Sequence, residues 1–160
     1  MKRTPRSFIF RSYSFDPQKG HLRFTYAVKF KGEPDMEFAE NIHLPKKVDM
    51  KGLPEELLEK VLEGVHLILG ISYYKLFCPP KVELPYALSR DQAEFWTTVY
   101  RKGLGEFAFQ NGLDQRKFAK FPSGKAVGAA VSYPRKNRSL LGIGGGKDSI
   151  VAGELLKAAK

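Results

Sequence analysis

Cysteine is almost missing from this chain. Cys78 is the single one among 160 residues, so no internal disulfide can form, and a reducing, cytoplasmic setting is the expected one. Long apolar runs are missing as well. None reaches the roughly 18 residues that a membrane-crossing helix needs. The opening MKRTPRSFIFRSYSF starts basic but has no apolar core of a secretory signal. There is no internal repeat, no low-complexity tract, and no RRM, KH or zinc-finger pattern. Acid is missing locally. From Gln115 to Lys147 eight basic residues (Arg116, Lys117, Lys120, Lys125, Arg135, Lys136, Arg138, Lys147) meet no Asp or Glu. From Met1 to Lys31 another eight (Lys2, Arg3, Arg6, Arg11, Lys19, Arg23, Lys29, Lys31) face only Asp16. The net charge is +10. Such fields attract nucleic acid, nucleotides or anionic lipid, and they also serve as a plain solvated surface.

What is present suffices for a core, since 42% of residues are hydrophobic. Residues 7–44 read as an antiparallel meander. His21 to Lys31 alternates, with Leu22, Phe24, Tyr26, Val28 and Phe30 on one face. Asp16–Gly20, DPQKG, suits a hairpin connection. Met36, Phe38, Ile42 and Leu44 suggest a third strand. A helix is expected near 54–77, opened by Pro54 with Glu55 and Glu56 in its first turn. Its stripe is Leu57, Leu58, Val61, Leu62, Val65, Ile68 and Leu69, and Cys78-Pro79-Pro80 ends it. A short extended piece, Lys81 to Pro85, follows. A second helix is expected over 90–102, with Ser89 and Gln92 in a capping-box pattern. Phe95, Trp96, Val99 and Tyr100 give its helical spacing, and Arg101 and Lys102 suit its last turn. Gly103 to Gly112 mixes aromatics with turn formers, and Phe121 to Ser139 reads as a partly exposed connection. Ser139 to Ile143 is expected to be a strand and Ser149 to Ala159 a helix, with a glycine turn between them.

That turn, Gly142-Ile143-Gly144-Gly145-Gly146-Lys147-Asp148-Ser149, has the composition of a phosphate loop. Spacing separates the kinds. A Walker A loop would put Leu141 at its first glycine and Asp148 at its hydroxyl position. A dinucleotide fingerprint from Gly142 and Gly144 would put Lys147 at its third glycine. Both fail. The stretch from Gly144 to Ser149 resembles instead the Ser-Gly-Gly-x-Asp-Ser loop of the PP-loop ATP pyrophosphatases, with Gly144 in place of the serine. Glycines let main-chain N–H groups approach pyrophosphate closely. Lys147 adds charge and Ser149 a hydroxyl. Asp148 beside phosphate implies an intervening Mg²⁺, or it caps the helix. A glycine-rich strand-to-helix turn without a ligand is the plain alternative.

Three stretches in order, ISYYKLFCPP (Ile71–Pro80), FWTTVYRKGLGEFAFQNGL (Phe95–Leu113) and LLGIGGGKDSIV (Leu140–Val151), resemble one bacterial family. It is the UDP-N-acetylmuramoyl-L-alanyl-L-glutamate epimerase family of peptidoglycan precursor synthesis. The early Phe8–Phe30 segment resembles its opening sheet. The family's proteins are longer, so the resemblance implies an N-terminal portion, expected to be inactive alone. The implied fold is α+β: an N-terminal domain over 1–137, then, over 138–160, the first strand-loop-helix unit of an adenine nucleotide alpha hydrolase-like PP-loop domain. The rest of that domain is expected beyond Lys160.

The implied reaction inverts the terminal L-Glu of UDP-MurNAc-L-Ala-L-Glu to D-Glu, using ATP and Mg²⁺. A Cα–H beside a free carboxylate is a very weak acid, and adenylation masks that charge so that a base can remove the proton and an acid return it. The resemblance carries Gly144, Gly145, Gly146, Asp148 and Ser149 over as the pyrophosphate loop, with Lys147 beside them and Asp148 on the metal. The racemising acid and base stay unassigned. Cys78, Glu106, His66 and His43 are the candidates, with Glu106 and Asn111 better suited to substrate contacts or, more plainly, to packing and turn formation. Cys78, after an apolar helix and before two prolines, reads first as a packed structural thiol, and His66 as a packed or surface histidine. Phe95, Trp96, Phe107 and Phe109 are expected in the core. Two other readings stay open: part of another PP-loop enzyme, such as one modifying tRNA, and a non-enzymatic basic module binding nucleic acid.

Overall fold

Strands form first along the chain because apolar and polar residues alternate there. In this computed structural model, which describes residues 4–45, 47–124, 132–134 and 138–159, β1 (Pro5–Asp16), β2 (His21–Phe30) and β3 (Glu33–His43) make the expected meander. β1 and β2 pair antiparallel from Pro5↔Phe30 to Asp16↔His21, and β2 and β3 from Phe30↔Glu33 to His21↔His43. The first hairpin turn closes as its residues dictate. The Asp16 carboxylate accepts the N–H groups of Gln18 and Lys19 at 3.0 and 3.1 Å, and Gly20 takes φ 62.

The α1 helix (Glu55–Tyr74) crosses one face of the sheet. It ends at Tyr74, and Lys75 to Phe77 form a turn rather than a further helical turn. The chain then delivers β4 (Lys81–Glu83) to the far side of β1. There Ser7, Phe8 and Ile9 pair parallel with Lys81, Val82 and Glu83. The sheet order is β3-β2-β1-β4, so the expected antiparallel sheet is mixed. The helix makes this possible: two parallel strands cannot be joined by a tight turn, and the long connection through α1 lets β4 run alongside β1 in the same direction.

The core lies between sheet and helices. Phe8, Phe10, Phe24, Tyr26 and Val28 supply the sheet face, and Leu62, His66, Leu67 and Tyr74 the α1 face. Contact is closest at Gly70, where an added Cβ would stand 2.5 Å from Phe10 Cε1 and 3.0 Å from the Tyr100 hydroxyl. The α1 stripe is only partly covered, because Val61 and Ile68 face solvent. The α2 helix (Arg90–Gly103) opens on the expected capping box. It is tied to α1 by Tyr100, whose hydroxyl donates to the Leu67 carbonyl at 2.6 Å.

A short helix that the glycine content of its segment hid, α3 (Gly105–Gln110), follows directly. After a 3₁₀ turn at Gln115–Lys117 capped by Asp114, Phe118, Ala119 and Phe121 return to the core. The Ala119 N–H donates to the Tyr74 hydroxyl at 2.9 Å.

The last element is α4 (Lys147–Ala158). The strand expected at 139–143 does not form. A strand needs a neighbour to take its N–H and C=O groups, and the four-stranded sheet does not reach this segment. Leu140 and Ile143 are correspondingly exposed. Among the described residues, no helix is long and apolar enough to cross a membrane. Lys2, Arg3, Lys125, Arg135 and Lys136 of the two basic runs lie outside the described residues, as do 125–131 and 135–137 of the expected connection.

Candidate functional site

The glycine loop is built by one conformational requirement and an absence of crowding. Gly145 takes φ 82, a region that L side chains rarely adopt. A Cβ placed on Gly142, Gly144, Gly145 or Gly146 would meet nothing within 4 Å. The loop is therefore open, and no side chain fills it. Gly146 is the N-cap of α4 and no side chain caps it, so the expected alternative role of Asp148 as a cap does not hold. Asp148 lies in the first helical turn and is exposed. The Ser149 hydroxyl donates to the Gly146 carbonyl at 2.7 Å, which holds it against the loop. Lys147 is exposed as well. The arrangement offers an uncapped, positively polarised helix end with glycine approach. An anion with a metal between it and Asp148 fits these residue types. Among the described residues, no three His, Cys, Asp or Glu side chains gather to hold a metal by themselves, so Asp148 would need further ligands from the anion or water.

The acid–base candidates do not join this loop in one cluster. Cys78 sits half-buried after α1 at φ 43, its Sγ directed at the Lys75 carbonyl. Burial pushes its thiol up to about 11, the opposite of an activated nucleophile. Glu106 is exposed on α3, bonded by Gln110 at 3.0 Å. Asn111 closes α3 through the Phe107 carbonyl at 2.8 Å.

His43 is exposed at the end of β3, its ring stacked on His21 at 4.5 Å. His66 takes the packed alternative. It is fully buried among the rings of Phe10, Tyr13, Phe24, Tyr26 and Tyr86. Its Nε2 lies 3.2 Å from the Thr25 carbonyl and its Nδ1 3.4 Å from the Tyr86 hydroxyl. Desolvation lowers its pKa to about 4. It packs the core and is removed from the helix surface. Of the aromatics expected inside, Trp96 and Phe107 pack against the core, but Phe95 is 58% and Phe109 87% exposed.

A second concave surface was not singled out by any motif. It is a cleft of about 350 Å³ lined by Thr98, Arg101 and Lys102 of α2 with Gln115 and Arg116 of the 3₁₀ turn. The Arg101 guanidinium donates to the carbonyls of Gln115 and Arg116, both at 3.2 Å. Arg116 is held by the Asp114 carboxylate at 2.9 and 3.1 Å, which keeps that carboxyl below its ordinary range. In the sequence, Arg101 and Lys102 pass for dipole compensation and Arg116 for one member of a basic run. Only the fold brings them together.

Sheet, helices and loop together define an α+β unit that carries a glycine-rich helix-entry turn outside its own core. The chain belongs to the MurL N-terminal domain family, matching it over residues 1–160. It is similar to proteins named UDP-N-acetyl-alpha-D-muramoyl-L-alanyl-L-glutamate epimerase from three bacteria. Identity is 40% to the Salinispora tropica protein over 94% of this chain and 34% of that one. It is 38% to the Micromonospora sp. protein over 96% and 35%, and 34% to the Xanthomonas oryzae pv. oryzae protein over 96% and 34%. The chain thus spans about a third of the length of the relatives it matches. No solved structure matches it.

Proposed function

We propose that this chain is the N-terminal portion of an ATP-dependent epimerase that inverts the terminal L-Glu of UDP-MurNAc-L-Ala-L-Glu. The observation that carries the reading is the agreement of three relatives, each matched over nearly the whole chain and each named as that epimerase. The glycine turn adds a chemical reason. Main-chain N–H groups of Gly145, Gly146 and Lys147 would grip the pyrophosphate part of ATP, with the Lys147 ammonium beside them and Asp148 holding Mg²⁺. ATP, when bound, supplies an adenylyl group that masks the glutamate carboxylate and makes the adjacent Cα–H removable. Ser149, through Gly146, holds the loop in shape.

Residues 138–160 begin a second unit in this reading. Its support is that no described residue from 138 onward enters the core of the sheet and helices. The test takes the whole protein that carries this chain with ATP, Mg²⁺ and UDP-MurNAc-L-Ala-L-Glu, and analyses the chirality of glutamate after hydrolysis. D-Glu appearing with AMP is the expected result. A product that keeps only L-Glu refutes the epimerase. In the same assay Asp148→Ala loses turnover while its far-UV dichroism stays unchanged.

A further inference from the structure

We propose that the cleft between α2 and the 3₁₀ turn binds the uridine diphosphate end of the substrate, so the inference rests on the epimerase reading above. Three cations, Arg101, Lys102 and Arg116, line it with one carboxylate, Asp114, beside them. Compensation of the α2 dipole accounts for Arg101 and Lys102 in the last turn. It does not account for Arg116, which reaches the cleft from another element.

Arg101 is already positioned. Two of its five N–H donors are spent on main-chain carbonyls, which fixes the guanidinium without neutralising it. Asp114 orients Arg116 differently, through an ion pair that offsets part of its charge, and leaves the Arg116 side chain 87% exposed to a ligand. A fixed guanidinium is the group best suited to paired phosphate oxygens. Lys102 and the Thr98 hydroxyl, both exposed, add a mobile charge and a neutral donor.

The second half of the argument is aromatic. Phe95 precedes Thr98 by three positions and Lys102 by seven, which puts all three on one face of α2. Its ring is 58% exposed and stands edge-on to Trp96, with centroids 5.2 Å apart at 79°. An exposed ring held upright one turn from a cationic cleft is a stacking platform for a base whose phosphates lie in that cleft. A nucleoside diphosphate has that shape and charge, and the relatives' named substrate carries one at its UDP end.

Trp96 is the chain's single tryptophan, and its contact with Phe95 makes it a reporter wherever the rest of the protein lacks one. Elsewhere, calorimetry serves. The whole protein is titrated with UDP, UMP, uridine and inorganic pyrophosphate, without ATP. Saturable UDP binding is expected, at least tenfold tighter than UMP. Lys102→Ala and Arg116→Ala each weaken UDP by about tenfold, the loss of one charge-assisted hydrogen bond. Phe95→Ala weakens UDP but leaves pyrophosphate unchanged, and Asp148→Ala leaves UDP binding intact.

No saturable UDP binding overturns the proposal. So does UDP binding that is unchanged in both Lys102→Ala and Arg116→Ala, or that Asp148→Ala abolishes. Pyrophosphate binding as tightly as UDP overturns the stacking role. UDP held here by a protein that forms no D-Glu leaves this site standing and removes the epimerase reading. D-Glu formed at normal KM by the cleft variants does the reverse.

Discussion

Protonating His66 should weaken the fold, and the structure sets the size and pH window of the effect. The Thr25 carbonyl only accepts, so Nε2 carries the proton, and Nδ1 is left as an acceptor that shares the Tyr86 hydroxyl proton with the Glu63 carbonyl. A second proton would place a charge among five aromatic rings, and among the described residues no carboxylate is hydrogen-bonded to the imidazole. The pKa falls from 6.5 to about 4 because desolvation outweighs the bond to Thr25. Between those values the unfolded chain binds the proton and the folded chain does not. Stability is therefore full above pH of about 6.5, falls as pH drops, and is fully lost to this group below the folded value of about 4. The shift corresponds to about 3 kcal/mol.

Urea unfolding of the chain at half-unit steps from pH 7.5 to 4 measures it, with His66→Gln as the comparison. Carboxylates titrate in both proteins, so the difference between the two curves isolates the imidazole. Glutamine can still donate to Thr25 and accept from Tyr86. The wild type should lose about 3 kcal/mol more than the variant across the window. Parallel curves would mean that His66 is charged or solvated in the native state, and the reasoning would be refuted.

Gly70→Ala should cost about 1–3 kcal/mol by overpacking, because its Cβ would meet Phe10 at 2.5 Å; an unchanged urea midpoint would refute the close approach. Ser89→Ala removes the acceptor of the Gln92 N–H and should cost about 1 kcal/mol, read from the same unfolding curves. Cys78 should react with iodoacetamide at pH 8 at least about tenfold more slowly than an exposed thiol of pKa about 8.5, given a folded value of about 11, and urea should abolish the difference. Ready alkylation of the folded chain would contradict its burial.

The meander and the capping box were legible because both are local. Alternation over His21–Phe30 sets a face without reference to the rest of the chain, and Ser89 with Gln92 is a bond between neighbours. What escaped is nonlocal. The parallel strand β4 has three residues, and its pairing is decided by where α1 deposits the chain. His66 stands beside its helical stripe in sequence, and only the sheet's aromatic face draws it inside. Phe95 lies outside the core for the converse reason: helical spacing says which residues share a face, not whether anything covers it, and Phe109 sits on the exposed side of α3, a helix its segment's glycines hid. The cleft residues Arg101 and Arg116 lie on separate elements, and neither run of charge announces the other. Ser139–Ile143 has strand composition, but composition does not supply a pairing partner.

The separation of core and loop makes the site testable. Every residue of the core cluster lies between Phe8 and Phe121, while the loop and α4 occupy 142–158 with Ile150, Val151 and Leu155 exposed. Substituting Gly144, Gly146 or Asp148 therefore disturbs no buried contact, and a loss of turnover there reports on ligand rather than fold. Gly145 differs. At φ 82 an alanine would strain the backbone by about 1–2 kcal/mol, and the strain would fall on the loop's own shape. Gly144→Ala and Gly145→Ala remove the same hydrogen and add the same methyl. On the proposed reading, a larger loss of activity in Gly145→Ala than in Gly144→Ala is expected, because only the first strains the loop's conformation, the property a main-chain anion site depends on.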